Sequence, residues 1–256
     1  MAALRILLIM CSVLLFPGGL AMAVTQWKGS EDFPDLLSDE FAYEESQLHD
    51  TGEKFTINDP LEPVNRIFFK FNDTMYEWIV KPITDGYIWF VPRDFRVCFK
   101  NFFVNLAMPI RLLNTLLQAD LKGSGVVASR FLINSTIGVY GLVDVAAQEF
   151  DLRPRQADFG QTLGRWGVVE GIFFYWPFFG PSSARDSVGF LVDVYTHPIP
   201  YFYNNMVLNI SYYTTDQINT LSLHPDLYDD LKRFSLDPYV AARQAYYENR
   251  KAFVEQ

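Results

Sequence analysis

Prolines cut the apolar stretches of this chain short. From Asp59 onward hydrophobic residues recur at helical spacing, and several of the stretches stop or bend near a proline. None reaches the roughly 20 residues that a bilayer-crossing helix needs. Val64, Ile67, Phe68, Phe71 and Met75 share one stripe, widened by Phe69, Tyr76 and Trp78. Asn65, Arg66, Asn72, Asp73 and Glu77 fall on the other side. Asp59-Pro60-Leu61-Glu62 predicts a capped helix start, and Lys81-Pro82 predicts its end. A second helix is expected over 94–106, carrying Phe95, Cys98, Phe99, Phe102, Phe103 and Leu106. A third carries Leu112, Leu113, Leu116 and Leu117, with a bend between the two near Ala107-Met108-Pro109. Residues 121–147 read as helical with a glycine-punctuated middle at Gly138 and Gly141. Ser182-Ser183 are candidate caps for a helix over 182–195, and Asp237-Pro238 opens a final one. Alternating strand-like runs are scarce. The expected fold is all-α, one domain of bent amphipathic helices over residues 59–256.

The composition limits how such a domain can meet its surroundings. The chain carries 23 Phe and 14 Tyr among 256 residues, a load that suits a large core or a boundary between apolar and wet phases. Its net charge of −9 argues against nucleic acid, which needs a basic face. The same charge weakens polybasic docking on anionic headgroups, so attachment to a membrane must come mostly from apolar burial.

The N-terminus reads as a targeting segment. Arg5 precedes an apolar run from Ile6 to Phe16, and Ala21-Met22-Ala23 fits a small-x-small cleavage site. A signal peptide over 1–23, cut after Ala23, is therefore expected. Cys11 lies in mid-run behind Met10, not behind a small residue, so lipidation there is not expected. Cleavage leaves Cys98 alone, with no intramolecular disulfide possible. Residues 24–58 are acidic and lack periodicity, which predicts a flexible arm.

The segment 159–181, FGQTLGRWGVVEGIFFYWPFFGP, has glycines at 160, 164, 167 and 171. On a helix these share one face and allow close backbone approach; in a loop they allow positive φ. The apolar run Ile172 to Phe179 suits a buried core segment, or a wedge or passage wall facing lipid. Gln161, Thr162, Arg165 and Glu170 are the polar groups at hand. No nucleophile elbow, phosphate loop or zinc motif is present. The three histidines, His49, His197 and His224, are scattered, so no catalytic residue, metal or cofactor is expected.

Several stretches together resemble the VacJ/MlaA family. They are D-P-L-E-P-V-N-R at Asp59 to Arg66 with F-x-F-N at Phe69 to Asn72; Val91-Pro92, Arg96, Asn101-Phe102, Asn105-Leu106, Pro109, Asn114 and L-Q-x-D ending at Asp120; R-F-L-I-N-S-T-I-G at Arg130 to Gly138; D-F-G-Q-T-L-G at Asp158 to Gly164; Trp176 to Gly180; Arg185-Asp186; and D-P-Y at Asp237 to Tyr239 with Arg243. Their order and spacing across about residues 58–250 carry the resemblance.

The resemblance implies a ring-like protein embedded in the periplasmic leaflet of the outer membrane. It implies a protein that is not an enzyme but removes misplaced phospholipid from the outer leaflet through an amphipathic channel. A soluble periplasmic lipid carrier and an outer-membrane porin trimer are the implied partners. Phe71 and Asn72 belong to the first-helix region that holds the ring in place. Together with Gly160, Gly164, Arg165, Gly167 and Glu170 they are the candidate passage residues. Phe99, Phe102, Phe103, Pro109, Leu112, Leu113, Leu116 and Leu117 are the candidate membrane-interface residues. The rival expectation is a periplasmic scaffold that uses its aromatic surfaces to bind proteins and carries no lipid.

Overall fold

A computed structural model of the protein describes residues 59–197 and 206–255. The expected signal peptide, Cys11 and the acidic arm lie outside the described residues. The chain is mostly helical, as expected, with one short two-stranded hairpin.

Helix α1 spans Glu62–Met75. It starts later than the capping pattern suggests. Leu61 holds the N-cap position without a side-chain cap, and a proline fills the first turn. Asp59 is occupied elsewhere: it accepts bonds from Asn65 Nδ2, Tyr239 Oη and, at 3.1 Å, Arg243 Nη1.

Lys81-Pro82 does not end the helix either. A single π-helical turn, Tyr76–Val80, leads straight into α2, Lys81–Phe90. A proline ring collides with the carbonyl four residues back in a regular helix. The wider turn, in which Lys81 N–H bonds the Tyr76 carbonyl five residues back, lets the helix continue through Pro82.

Helices α3, Arg93–Leu106, and α4, Met108–Leu117, meet at Ala107, the bend expected from Pro109. Helix α5 stops at Leu121–Thr136 and does not extend to 147. Beyond it Val139, Tyr140 and Gly141 all take positive φ. A short α6, Val145–Phe150, then restarts behind the Asp144 cap. A side chain on Gly138 would meet the Val143 carbonyl at 2.3 Å, so the glycines there break the helix.

The glycine-aromatic segment splits in two. Gly160 and Gly164 lie in α7, Phe159–Arg165, whereas Gly167 and Gly171 sit in the following loop at φ +87° and +74°. The apolar run then forms β1, Phe173–Trp176, antiparallel to β2, Gly180–Ser183, with Trp176 opposite Gly180. Helices α8, Ala184–Thr196, α9, Met206–Leu223, α10, Leu227–Phe234, and α11, Pro238–Glu255, complete the chain. Ser183 caps α8 by accepting from Asp186 N–H at 3.1 Å.

Two asparagines of α1, seven residues apart, replace a third strand. Asn65 donates to the Phe173 carbonyl at 3.2 Å and accepts from Tyr175 N–H at 2.9 Å. Asn72 donates to the Trp176 carbonyl at 2.9 Å and accepts from Phe178 N–H at 2.8 Å. The outer edge of β1 is thereby satisfied, which an exposed edge strand is not. The inner face of β1 buries Phe173 and Tyr175 against Tyr239 and Tyr246.

Candidate functional site

Helix α4 shows how the molecule sorts its side chains. Pro109, Leu113, Leu116 and Leu117 recur at i, i+4, i+7 and i+8 and face outward, with Leu116 52% exposed. The opposite stripe carries Met108, Arg111, Asn114, Thr115 and Gln118. On it Asn114 is 1% exposed and Thr115 fully buried. Helix α1 repeats the arrangement: Val64, Ile67 and Phe71 are exposed while Asn65 and Asn72 are buried. Elsewhere Trp78 and Trp89 stand outside at 78% and 81%, and Arg130 and Arg250 lie inside at 1%. Single exposed apolar residues are ordinary; buried polar ones and aligned apolar stripes are not. Beside its aromatic core the molecule thus places apolar stripes outside and polar groups inside.

The interior polar groups form two networks. In the first, Gln118 Nε2 donates to Thr162 Oγ1 at 3.0 Å, and Thr162 donates to Asn114 Oδ1 at 3.1 Å. Asn114 Nδ2 then donates to Asp193 Oδ1 at 3.0 Å. The other oxygen of Asp193 accepts from Phe159 N–H at 2.9 Å. Burial, reinforced by the nearby Asp158 charge, pushes the Asp193 carboxyl up to about 7.

In the second network Arg250 grips Asp158 with two nitrogens, at 2.6 and 3.0 Å, and places Nε 2.7 Å from Asp186. Asp186 also takes Arg185 Nε at 2.9 Å and the Tyr246 hydroxyl. Burial pushes the Asp186 carboxyl up, but the Arg250 guanidinium prevails and holds it below its usual value.

The sequence-predicted residues occupy different parts of this arrangement. Asn72 clasps the hairpin, and Phe71 packs edge-on against Phe178 with ring centroids 5.1 Å apart. A side chain added to Gly160 would strike Arg250 Nη2 at 2.6 Å and Asp186 Oδ1 at 2.7 Å. One on Gly164 would touch Val254 at 2.9 Å. These two glycines allow α7 to lie against α8 and α11. Arg165 is partly buried with its Nε unpartnered, Gly167 has open space around it, and Glu170 pairs with Arg185 at 3.4 Å. Burial raises the Glu170 carboxyl. Of the membrane-interface candidates, Phe99, Pro109, Leu113, Leu116 and Leu117 are exposed. Phe102, Phe103 and Leu112 are half-buried, Phe103 against Tyr212 at 5.3 Å.

Several interior residues escaped the sequence reading. Arg111 is the sole charge in MPIRLLNTLL of α4, which is the signal that marks it. Asp216, on α9, lies in a stretch without an apolar stripe. Among the described residues no helix is long and apolar enough to cross a membrane, and no group of residues is placed to hold a metal ion.

Comparison with known proteins bears on the same residues. A family model described as MlaA lipoprotein matches residues 57–253. The intermembrane phospholipid transport system lipoprotein MlaA of Escherichia coli (strain K12) is 32% identical over 194 residues, covering 75% of this chain and 76% of that one. Its namesake in Haemophilus influenzae is 29% identical over 204 residues, covering 78% and 81%. A structure solved to explain maintenance of bacterial outer membrane lipid asymmetry aligns with a TM-score of 0.69 at 29% identity, covering 77% of this chain and 100% of that one. With nearly all of its described body matched in sequence and its helical framework matched in space, the chain belongs to the MlaA lipoprotein family.

Proposed function

We propose that this protein moves misplaced phospholipid out of the outer leaflet of the outer membrane. The observation that carries this reading is the placement of apolar stripes outside and polar networks inside. The helices form a ring lying in the periplasmic leaflet. The outward stripes of α1, α3 and α4 meet acyl chains, and the inward stripes bound a passage for the headgroup. Each Leu or Phe transferred from water into the acyl region contributes about 2 kcal/mol. A handful of them holds the ring without an acyl chain on Cys11. The names of the relatives, which speak of phospholipid transport, support the same cargo.

No bond of the lipid is made or broken, and the ring uses no energy source of its own. Direction comes from a soluble periplasmic carrier that takes the lipid onward. The outer stripes also offer a surface to a trimeric porin. Asn72 and Phe71 fix the hairpin that closes one side of the ring, and Arg165, Gly167 and Glu170 line its approach.

Two measurements test this. Protein extracted in mild detergent is expected to carry phospholipid, and cells lacking it are expected to accumulate phospholipid in the outer leaflet. Deleting Phe71-Asn72 is expected to disturb the same balance while export persists. Lipid-free protein together with normal outer-leaflet phospholipid in the deleted strain leaves only a scaffold role.

A further inference from the structure

Most interior arginines of this protein are tied down; Arg111 and the partly buried Arg165 are not. Arg96 donates to the carbonyls of Val91 and Ser222. Arg130 pairs with Asp144 at 2.7 Å and donates to the Leu152 carbonyl. Arg185 and Arg250 share Asp186. The Arg111 side chain makes no hydrogen bond and no ion pair among the described residues, yet it lies on the inward stripe of α4, opposite the exposed leucines. Charged groups reach it from three other parts of the fold: Asp216 on α9, Arg130 on α5 and Asp158 at the start of α7. Its side chain is mostly covered, and burial pulls the guanidinium below its usual value.

The largest favourable charge near it, Asp216, is in the same condition. Asp216 sits on the inward stripe of α9 with Tyr212 and Asn219, while Val207, Ser211 and Thr215 face out. It too makes no hydrogen bond and no ion pair among the described residues. Burial pushes its carboxyl up to about 6 even though Arg111 and Lys100 pull it down. Nearby on the same helix Tyr213 Oη, Thr214 Oγ1 and Gln217 Oε1 are buried without hydrogen-bond partners. Buried polar groups in folded proteins are normally satisfied, and a cluster of unsatisfied ones marks a place where something polar belongs. An unpaired guanidinium in a dehydrated site is costly to maintain unless it is used.

We propose that Arg111 and Asp216 are the two ends of a subsite for a zwitterionic phospholipid headgroup. The Arg111 guanidinium takes the phosphodiester, whose planar pairs of oxygens match its paired N–H donors. The Asp216 carboxylate takes the ammonium of an ethanolamine. Because the two side chains do not pair with each other, each keeps its charge available for the opposite end of one ligand. A phosphatidylglycerol phosphate satisfies Arg111, but its neutral glycerol brings Asp216 no cation, so the site discriminates by headgroup. This subsite rests on the phospholipid-passage reading above and adds to it where the headgroup pauses and which headgroup is favoured.

The test uses the full chain purified in mild detergent and incubated with mixed micelles of phosphatidylethanolamine and phosphatidylglycerol in equal amounts. Retained lipid is quantified by mass spectrometry. Wild type is expected to retain phosphatidylethanolamine in excess. Asp216→Asn is expected to keep total lipid but lose that excess. Arg111→Gln is expected to lower total retained lipid about tenfold, the scale of one lost charge-assisted bond, and Arg111→Lys to restore most of it. If wild type retains lipid and neither Arg111→Gln nor Asp216→Asn changes amount or ratio, the subsite is wrong and the passage stands. If wild type retains no lipid, the passage reading fails and the subsite with it. Should Arg111→Gln not fold, the headgroup ratio of Asp216→Asn decides alone.

Discussion

Arg250 and Arg111 are both interior arginines, but their surroundings differ. Around Arg250 every approach is filled: two aspartates, a tyrosine hydroxyl and the glycine crossing of α7 with α8 close upon it. Around Arg111 no partner is in bonding range, and accessible surface remains. The first arrangement is what a buried charge needs to stabilise a fold. The second forms no bond within the described fold and leaves the guanidinium free for the ligand proposed above. Burial by itself therefore does not distinguish structure from function here; the state of the partners does.

Substitution should separate the two most sharply. Arg250→Met strands Asp158 without its cation and leaves Asp186 only Arg185, and is expected to cost about 3–5 kcal/mol, read as a large drop in the thermal unfolding midpoint in detergent. Arg111→Gln removes a charge with no bonded partner and is expected to leave that midpoint nearly unchanged. Equal losses in both variants would erase the distinction.

A smaller effect tests how tightly the Arg250 region is closed. A Cβ on Gly189 would lie 2.3 Å from the Gly160 nitrogen. Gly189→Val is expected to destabilise by about 1–3 kcal/mol through overpacking. The same change at Gly125, where nothing stands within 4 Å, is expected to cost less. Denaturation of the two variants side by side measures the contrast.

The smallest effect is a dependence on pH. Arg250 holds Asp186 below the ordinary carboxylate value of 3.8, so its contribution is present above that value and is lost as pH falls below it. Asp193 is pushed the other way, to about 7, by burial and by Asp158. A carboxyl that binds its proton more tightly folded than unfolded favours the fold at low pH. Stability from Asp193 is therefore fully present below about 3.8 and is lost as pH rises toward 7. Asp193→Asn is expected to flatten the stability profile between those limits. An unchanged profile would show that Asp193 does not carry that dependence.

Much of the helical framework was legible because it is written in local chemistry. The bend at Ala107 follows from Pro109, the start of α8 from Ser183 and the start of α11 from Asp237-Pro238. What the pattern could not show is which side faces in. Spacing identified two faces of α1, and nothing in a periodicity says which solvent each face meets. Asn65 and Asn72 lie opposite the apolar stripe, and the structure buries them against β1 while Ile67 stands outside. Helix α9 was missed for the same reason: its inward stripe is polar, so no apolar stripe announces it. The hairpin was hidden because the partners of β1 are side chains of a helix more than 100 residues earlier. The glycines of α7 needed their neighbours, Arg250 and Asp186, before their role could be read. The motifs at the two ends of the domain proved to be one feature. Asp59 and Arg66 of the first clasp Tyr239, Arg243 and Asp237 of the last.

The orientation of α4 is the point on which the rest turns. Leu116→Cys in a Cys11→Ser, Cys98→Ser background gives one reactive site for a fluorophore, and the labelled protein can be reconstituted into vesicles whose acyl chains carry bromine. Strong quenching by brominated chains is predicted, because the proposed function turns the exposed Leu116 toward lipid. Fluorescence that ignores the bromine and responds only to an aqueous quencher would contradict a belt turned toward acyl chains.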